Sequence, residues 1–169
     1  MPAVMIRAME PKRLPTLPIT SRETLALRAA VLRPGRPLEE CMFPGDDDPA
    51  TLHVGAELDG EIVAIASIYH EARSDHGPGG AERARDHDAG SAWRLRGMAT
   101  APSVRRRGAG AAALTLCEEH ARANGATLLW CNARLEAVAF YEAGGWTVLG
   151  EQFDIPTVGP HLVMERRLL

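Results

Sequence analysis

The chain has 169 residues, 46% hydrophobic and 24% charged, a composition that fits one soluble globular domain and excludes disordered, collagenous and coiled-coil classes. Its 19 Lys and Arg stand against 22 Asp and Glu, a net charge of -3, so no global positive field exists to hold nucleic acid or an anionic membrane. Three cysteines (Cys41, Cys117 and Cys131) form no CxxC pair, the N-terminus lacks an apolar signal core, and no run approaches the roughly 20 apolar residues of a membrane span. An odd thiol count without a pairing pattern suits a reducing compartment, and the expected location is cytoplasmic.

Residues 1–18 carry Pro2, Pro11, Pro15 and Pro18 and predict an extended or mobile arm with a short strand at 4–8. Thr20-Ser21-Arg22-Glu23 then reads as a capping box, and Leu25, Ala29 and Leu32 recur at helical spacing until Arg33-Pro34-Gly35 stops the pattern. The stretch 36–50 is polar and broken by Pro and Gly, which predicts a functional loop or a short broken helix. Leu52, Val54, Ala56 and Leu58 alternate with His53, Gly55 and Glu57, and Asp59-Gly60 turns the chain into a return strand over 61–70. That strand is apolar on both faces, as a central strand covered by helices would be.

Residues 71–91 are polar and Gly-rich and predict a flexible loop. A domain boundary there would leave the upstream sheet uncovered, so one domain over 1–169 is expected. Downstream, strands are predicted at 92–100, 127–132, 146–155 and 161–168, with helices at 108–124 and 134–143, the latter stopped by Gly144-Gly145. The order predicts an α/β fold with a mixed sheet and helices on both faces.

The chemistry concentrates in Trp93 to Ala111, WRLRGMATAPSVRRRGAGA, where a strand passes through Ala101-Pro102 and Arg105-Arg106-Arg107-Gly108-Ala109-Gly110 opens a helix. Glycines at a first turn let a ligand approach the backbone, and the unpaired N–H groups and helix dipole there attract phosphate. No GK[ST] follows the glycine and no GxGxxG is present, which sets aside the two familiar nucleotide loops. Without interleaved aromatics, and at this net charge, the three arginines fit a pyrophosphate cradle better than a nucleic-acid patch or a solvated turn.

Arg105-x-x-Gly108-x-Gly110 after a strand resembles the coenzyme-A loop of the GNAT superfamily of N-acetyltransferases. LRGMATAP resembles that family's bulged fourth strand, with Gly97 suited to the bulge, and LLWCN resembles its fifth. Ala139-Phe140-Tyr141-Glu142-Ala143-Gly144-Gly145-Trp146 is similar to its A-x-x-F-Y-x-x-x-G-F segment, with Trp146 in place of the usual Phe. The resemblance implies a GNAT-like, mostly antiparallel sheet splayed by the bulge, and transfer of an acetyl group from acetyl-CoA to a primary amine or peptide N-terminus by direct attack. It implies no metal, no nucleic-acid or membrane partner, and by family habit a homodimer. The competing class is a non-catalytic acyl-CoA-binding sensor or regulatory module.

The resemblance further implies that the backbone of Met98, Ala99 and Thr100 pairs with the pantetheine arm. Arg105 and the N–H groups of Arg106, Arg107, Gly108, Ala109, Gly110 and Ala111 would hold the pyrophosphate. Asn132 would contact the cofactor or orient the next helix, and Tyr141 would stand near the thioester sulfur as the catalytic acid. Where some members carry a basic glutamate this chain has Arg94, which cannot act as a base. His53, Glu57, His70 and Glu71 remain as base candidates, with His53 read foremost as half-buried structure. Asp46-Asp47-Asp48 reads foremost as a solvated loop, with a metal site or an acidic wall for a cationic amine as alternatives. Arg94 and Arg96 share a strand face and either enter the cleft toward an anionic acceptor or bridge to acidic loops.

Overall fold

The computed structural model describes residues 14–73 and 90–168. The strand expected at 4–8 and most of the loop expected at 71–91 lie outside them. Seven strands form one sheet in the order β1-β2-β3-β4-β5-β7-β6, antiparallel throughout except for the parallel pair β4–β5. The strands are β1 (Thr16–Ile19), β2 (Leu52–Leu58), β3 (Glu61–His70), β4 (Ala92–Thr100), β5 (Leu128–Arg134), β6 (Thr147–Ile155) and β7 (Gly159–Arg167). This is the mixed, mostly antiparallel α/β fold that the sequence predicts.

The β2–β3 hairpin turns through Asp59 at φ 52° and Gly60 at φ 83°, the left-handed pair that a two-residue turn requires. β1 was expected as part of a loose arm, yet Thr16–Ile19 pairs with β2 from Ala56 to His53. Pro18 is tolerated there because the strand lies at the sheet edge, where its missing N–H breaks no ladder.

The capping box starts helix α1 (Ser21–Leu27) as predicted: the Thr20 side chain accepts from the Glu23 amide and the Glu23 carboxylate accepts from the Thr20 N–H. Beyond it, Arg28–Leu32 widens into a π-helical turn, closed by Arg33 N–H donating to the Arg28 carbonyl. The stretch 36–50 holds a 3-10 turn at Leu38–Cys41, the short broken helix expected.

Helix α2 (Ala109–Ala123) lies on the opposite face of the sheet, and its buried Ala113, Cys117 and Ala121 pack with Trp93, Leu95, Leu129 and Met164 in the main core. Cysteines 41, 117 and 131 are all free and buried. After β5, a 3-10 turn (Leu135–Ala137) leads into the short helix α3 (Val138–Ala143), and Trp146, 2% exposed, closes the same core from behind Gly145.

Two departures from regular pairing open the sheet. β3 runs Ile65↔Ala99 and then Ser67↔Arg96, so Gly97 and Met98 on β4 face one residue of β3 in a bulge. Gly97 has φ 66°, and a Cβ there would stand 3.1 Å from Arg28 Nε and 3.2 Å from Phe43, so both backbone angle and space demand glycine. On the other side, β4 and β5 pair only at Ala92↔Leu128, Trp93↔Leu129 and Arg94↔Trp130. Past Arg94 the two parallel strands diverge, and the gap between them becomes the cleft.

Candidate active site

The cleft has a volume of about 830 Å³ and extends from the first turn of α2 through the β4–β5 gap to the π-helical turn. Its two ends differ in what lines them. At one end stand Thr100, Arg105, Arg106, Gly108, Ala109, Gly110 and Ala111; at the other stand Val31, Leu32, Arg33, Phe43, Arg94, Arg96, Arg134, Ile155, Val158 and His161. Met98, Ala99, Cys131, Asn132 and Tyr141 lie along the gap.

The α2 end is built from backbone. Gly108 caps the helix at φ 81°, and the first amide to find a helical acceptor is that of Ala112, 2.9 Å from the Gly108 carbonyl. The earlier amides of the helix have no intrahelical partner and carry the positive end of its dipole. Gly110 admits no side chain, because a Cβ would meet Thr100 Oγ1 at 3.2 Å and the Met98 methyl at 3.3 Å. Arg106 also takes a left-handed φ of 62°, unusual for a side-chain residue, which turns the loop back onto the helix start. A loop of free amides, left-handed glycine and flanking arginines fits an anionic diphosphate group. Of the expected loop set, Arg107 alone does not line the cleft.

Tyr141 projects from α3 into the gap, 6% exposed, with its hydroxyl donating to Met98 Sδ at 3.4 Å. Burial, and then the neighbouring Cys131 and Cys117 thiols, push its phenol well above the ordinary value. It therefore stays protonated and can donate, not accept, a proton at neutral pH. Burial likewise pushes the Cys131 thiol up to about 12, which keeps it uncharged beside the phenol.

None of the four base candidates from the sequence lines the cleft. His53 is 5% exposed and both ring nitrogens are engaged, Nε2 donating to the Asp46 carbonyl at 2.8 Å and Nδ1 accepting from Ser67 Oγ at 2.7 Å. Of its two readings, the structural one holds. His70 meets the Gly90 carbonyl and the Trp93 ring, and Glu71 accepts from Arg94 at 2.9 Å. The residue that sequence reasoning missed is His161, at the start of β7. It is 4% exposed, lines the cleft, and donates from Nδ1 to the Gly159 carbonyl at 2.8 Å, which leaves the Nε2 lone pair unused when the ring is neutral. Only the pairing of β7 with β5, which sets His161 opposite Arg134, brings it here.

Within the acidic triplet, Asp47 and Asp48 are exposed loop residues as expected, and Asp46 is a correction. Asp46 is not a solvated loop residue: it is 5% exposed and clamps the buried Arg28, whose Nη1 donates to Oδ2 at 2.6 Å and Nη2 to Oδ1 at 3.1 Å. Tyr69 and the Phe43 amide also donate to it, and Arg28 reaches on to Ser67, Tyr69 and the Cys41 carbonyl. Burial alone would raise the Asp46 carboxyl, but these hydrogen bonds and the Arg28 charge outweigh it and hold the group below its ordinary value. Asp47 accepts from Ser21, and Asp48 from the Ala50 amide. Arg28 cancels the Asp46 charge, and none of the three aspartates lines the cleft.

Comparison with known proteins places this arrangement. Residues 21–146 match the model of the Acetyltransferase (GNAT) family, and the chain belongs to that family. It is 35% identical over 150 residues to the uncharacterized N-acetyltransferase YitI of Bacillus subtilis (strain 168), covering 89% of this chain and 93% of that one. Its fold is similar to a ribosomal-protein-alanine N-acetyltransferase from Brucella melitensis, with TM-score 0.65 at 18% identity over 92% of this chain and 100% of the other. An aminoglycoside 6'-N-acetyltransferase in complex with coenzyme A has TM-score 0.59 at 13% identity, over 88% and 91% of the two chains. This chain is an acyltransferase of the acetyl-CoA-dependent family. The fold is shared by enzymes named for different acceptors, so the acceptor must be read from the cleft itself.

Proposed function

We propose that the protein transfers the acetyl group of acetyl-CoA directly to a primary amine, with both substrates held in the one cleft. The observation that carries this is the joining of a phosphate-type helix terminus to a buried, protonated phenol through a single gap in the sheet. The free amides of Ala109, Gly110 and Ala111, with Arg105 and Arg106, receive the pyrophosphate. The β4 backbone at Met98, Ala99 and Thr100 is the edge exposed by the splay, open to pairing with the pantetheine arm, and Asn132 faces it across the gap from β5.

Acetyl-CoA supplies an activated acyl carbon: the amine nitrogen bonds to it, the carbon–sulfur bond breaks, and the electron pair leaves on sulfur. Tyr141 donates its phenolic proton toward that sulfur and is restored by the second proton the nitrogen sheds on becoming an amide, a role that its contact with the Met98 thioether supports. An amide N–H at the Gly97–Met98 bulge, released from the ladder, can polarise the acyl oxygen. His161 Nε2 takes the proton of the incoming ammonium, so the acid and the base come from opposite walls.

The test is a paired measurement of coenzyme-A affinity and turnover, read by thiol release. Coenzyme A and acetyl-CoA should each stabilise the protein to heat, by about 2.7 kcal/mol at a hundredfold excess over Kd, and ATP should not. Tyr141→Phe should keep coenzyme-A affinity and lose about a hundredfold in kcat. Equal turnover in Tyr141→Phe overturns the assigned acid. A protein that binds both coenzyme-A species and acetylates no amine is instead a sensor.

A further inference from the structure

The end of the cleft away from α2 holds more positive charge than its surroundings answer. Across the whole cleft, six arginines (Arg33, Arg94, Arg96, Arg105, Arg106 and Arg134) face one carboxylate, Glu136, among the described residues. Two of the six belong to the phosphate end. Of the other four, only Arg94 has a counterion among the described residues, Glu71 at 2.9 Å, and it also stacks on the Trp130 ring at 4.7 Å. Arg33 and Arg134 donate to backbone carbonyls, those of Glu40 at 2.7 Å and Leu32 at 2.8 Å, which satisfies hydrogen-bonding capacity without cancelling charge.

Arg96 is the exception that gives the site its direction. It is half-buried, its guanidinium lies over the Phe43 ring at 4.3 Å, and no described residue offers it a hydrogen bond or an ion pair. Phe43 receives Arg28 at 4.1 Å and Arg33 at 5.0 Å as well, so one ring gathers three guanidiniums. Asp46 answers Arg28 alone. Burial, and then the adjacent Arg94 charge, act against the Arg96 cation, while Tyr69 and Glu71 favour it. A guanidinium keeps its charge through such burial, so Arg96, held by no hydrogen bond or ion pair among the described residues, offers that charge to an anion entering the cleft. Nor does it belong to the pyrophosphate: the Gly97–Met98 bulge separates Arg96 from Thr100, the residue of β4 that meets the start of α2.

We infer that Arg96, with Arg33 and Arg134 beside it, is the subsite for an oxyanion, carboxylate or phosphate, carried by the acceptor amine. This rests on the transfer reaction proposed above and names its substrate class: small amines bearing an acid group, in preference to polycations. The planar fork of Arg96, steadied on Phe43, is suited to a two-point hold on such a group. His161 lines the same end of the cleft, so an amine a few bonds from the anion comes within reach of both base and acyl carbon.

The experiment uses product-shaped probes on the full chain loaded with coenzyme A, followed by calorimetric titration. N-acetylglycine is compared with N-acetylglycinamide, and N-acetyl-O-phosphoethanolamine with N-acetylethanolamine; each pair differs only in the anion. At least one charged member should bind about tenfold or more tightly than its neutral partner. The stronger charged member tells carboxylate from phosphate. Arg96→Gln should remove the gap by weakening the charged probe while coenzyme-A affinity holds, and Arg96→Lys should restore part of it. Neutral probes binding as tightly as charged ones, no charged probe binding at all, or a gap that survives in Arg96→Gln overturns the inference. Failure of coenzyme A itself to bind would instead remove the transferase reading. An anion preference persisting in that case would leave the subsite standing by itself.

Discussion

The two ends of the cleft recognise charge by different means. The α2 end uses backbone: amides freed by a helix start, a glycine at φ 81°, and another glycine whose missing side chain lets the helix sit against Thr100 and Met98. The far end uses side chains from distant parts of the sequence: Arg33 from the π-helical turn, Phe43 from the loop after it, Arg96 from β4, Arg134 from β5 and His161 from β7. Backbone recognition suits a substrate common to a whole family, because it survives sequence change so long as the glycines remain. Side-chain recognition suits the substrate that differs between members. The far end must therefore be held rigid by something else, and the Arg28–Asp46 network does this beneath Phe43.

The largest expected effect breaks that support. Asp46→Asn leaves Arg28, fully buried, without its counterion, and should cost about 3–5 kcal/mol of stability at neutral pH by thermal or denaturant unfolding. The folded Asp46 pKa is held below its unfolded value near about 3.9, so its contribution is fully present above that value. It is lost as pH falls through the lower, folded value. The gap between the natural chain and Asp46→Asn should thus be flat above about pH 5 and narrow in acid. A gap that stays constant down to low pH would mean that the carboxylate charge plays no part.

Gly97→Ala comes next. It strains φ 66° and presses a methyl onto Arg28 and Phe43, so about 1–3 kcal/mol of destabilisation is expected. Because Gly97 joins the bulge to the arginine cluster, this variant should also blunt discrimination between the charged and neutral probes. Gly108→Asp sharpens the other side of the comparison. The site has open space for a side chain, so the substitution costs only the strain of its left-handed φ, about 1–2 kcal/mol, and the fold should persist, while a carboxylate at the helix start should weaken coenzyme A about tenfold or more. Stability lost in parallel with affinity would show that the cradle and the fold cannot be separated.

The difference between the two ends also explains what could be read without a structure. Arg105, Gly108 and Gly110 sit within six residues of one another, so one local motif carried the α2 end, and the bulge glycine and both hairpin strands were equally local. Asp46 could not be read so. An acidic run between prolines has the composition of a solvated turn, and nothing nearby in sequence shows that Arg28, 18 residues earlier, is buried against it. His161 was missed for the same reason: its place opposite Arg134 depends on β7 inserting between β5 and β6, a topological fact with no local signature. Likewise Arg94 and Arg96 look equivalent by period, and only the position of Glu71 separates the paired one from the unpaired one.

The smallest expected effect lies within the arginine run itself. Arg105, Arg106 and Arg107 look interchangeable as a positive cluster, and a purely electrostatic cradle would lose similar affinity from removing any of them. The geometry separates them: Arg105 and Arg106 line the cleft, whereas Arg107 does not, and Arg106 holds the left-handed φ that bends the loop. Arg106→Ala should weaken coenzyme A several-fold, about 1 kcal/mol, through lost charge and a worse-placed loop. Arg107→Ala should change the dissociation constant by no more than about twofold, since an exposed charge outside the cleft acts only through screened solvent. Measured side by side at two salt concentrations, equal losses in the two variants would reduce the α2 end to a diffuse positive patch. Unequal losses would show that the backbone path, more than the charge count, makes the site.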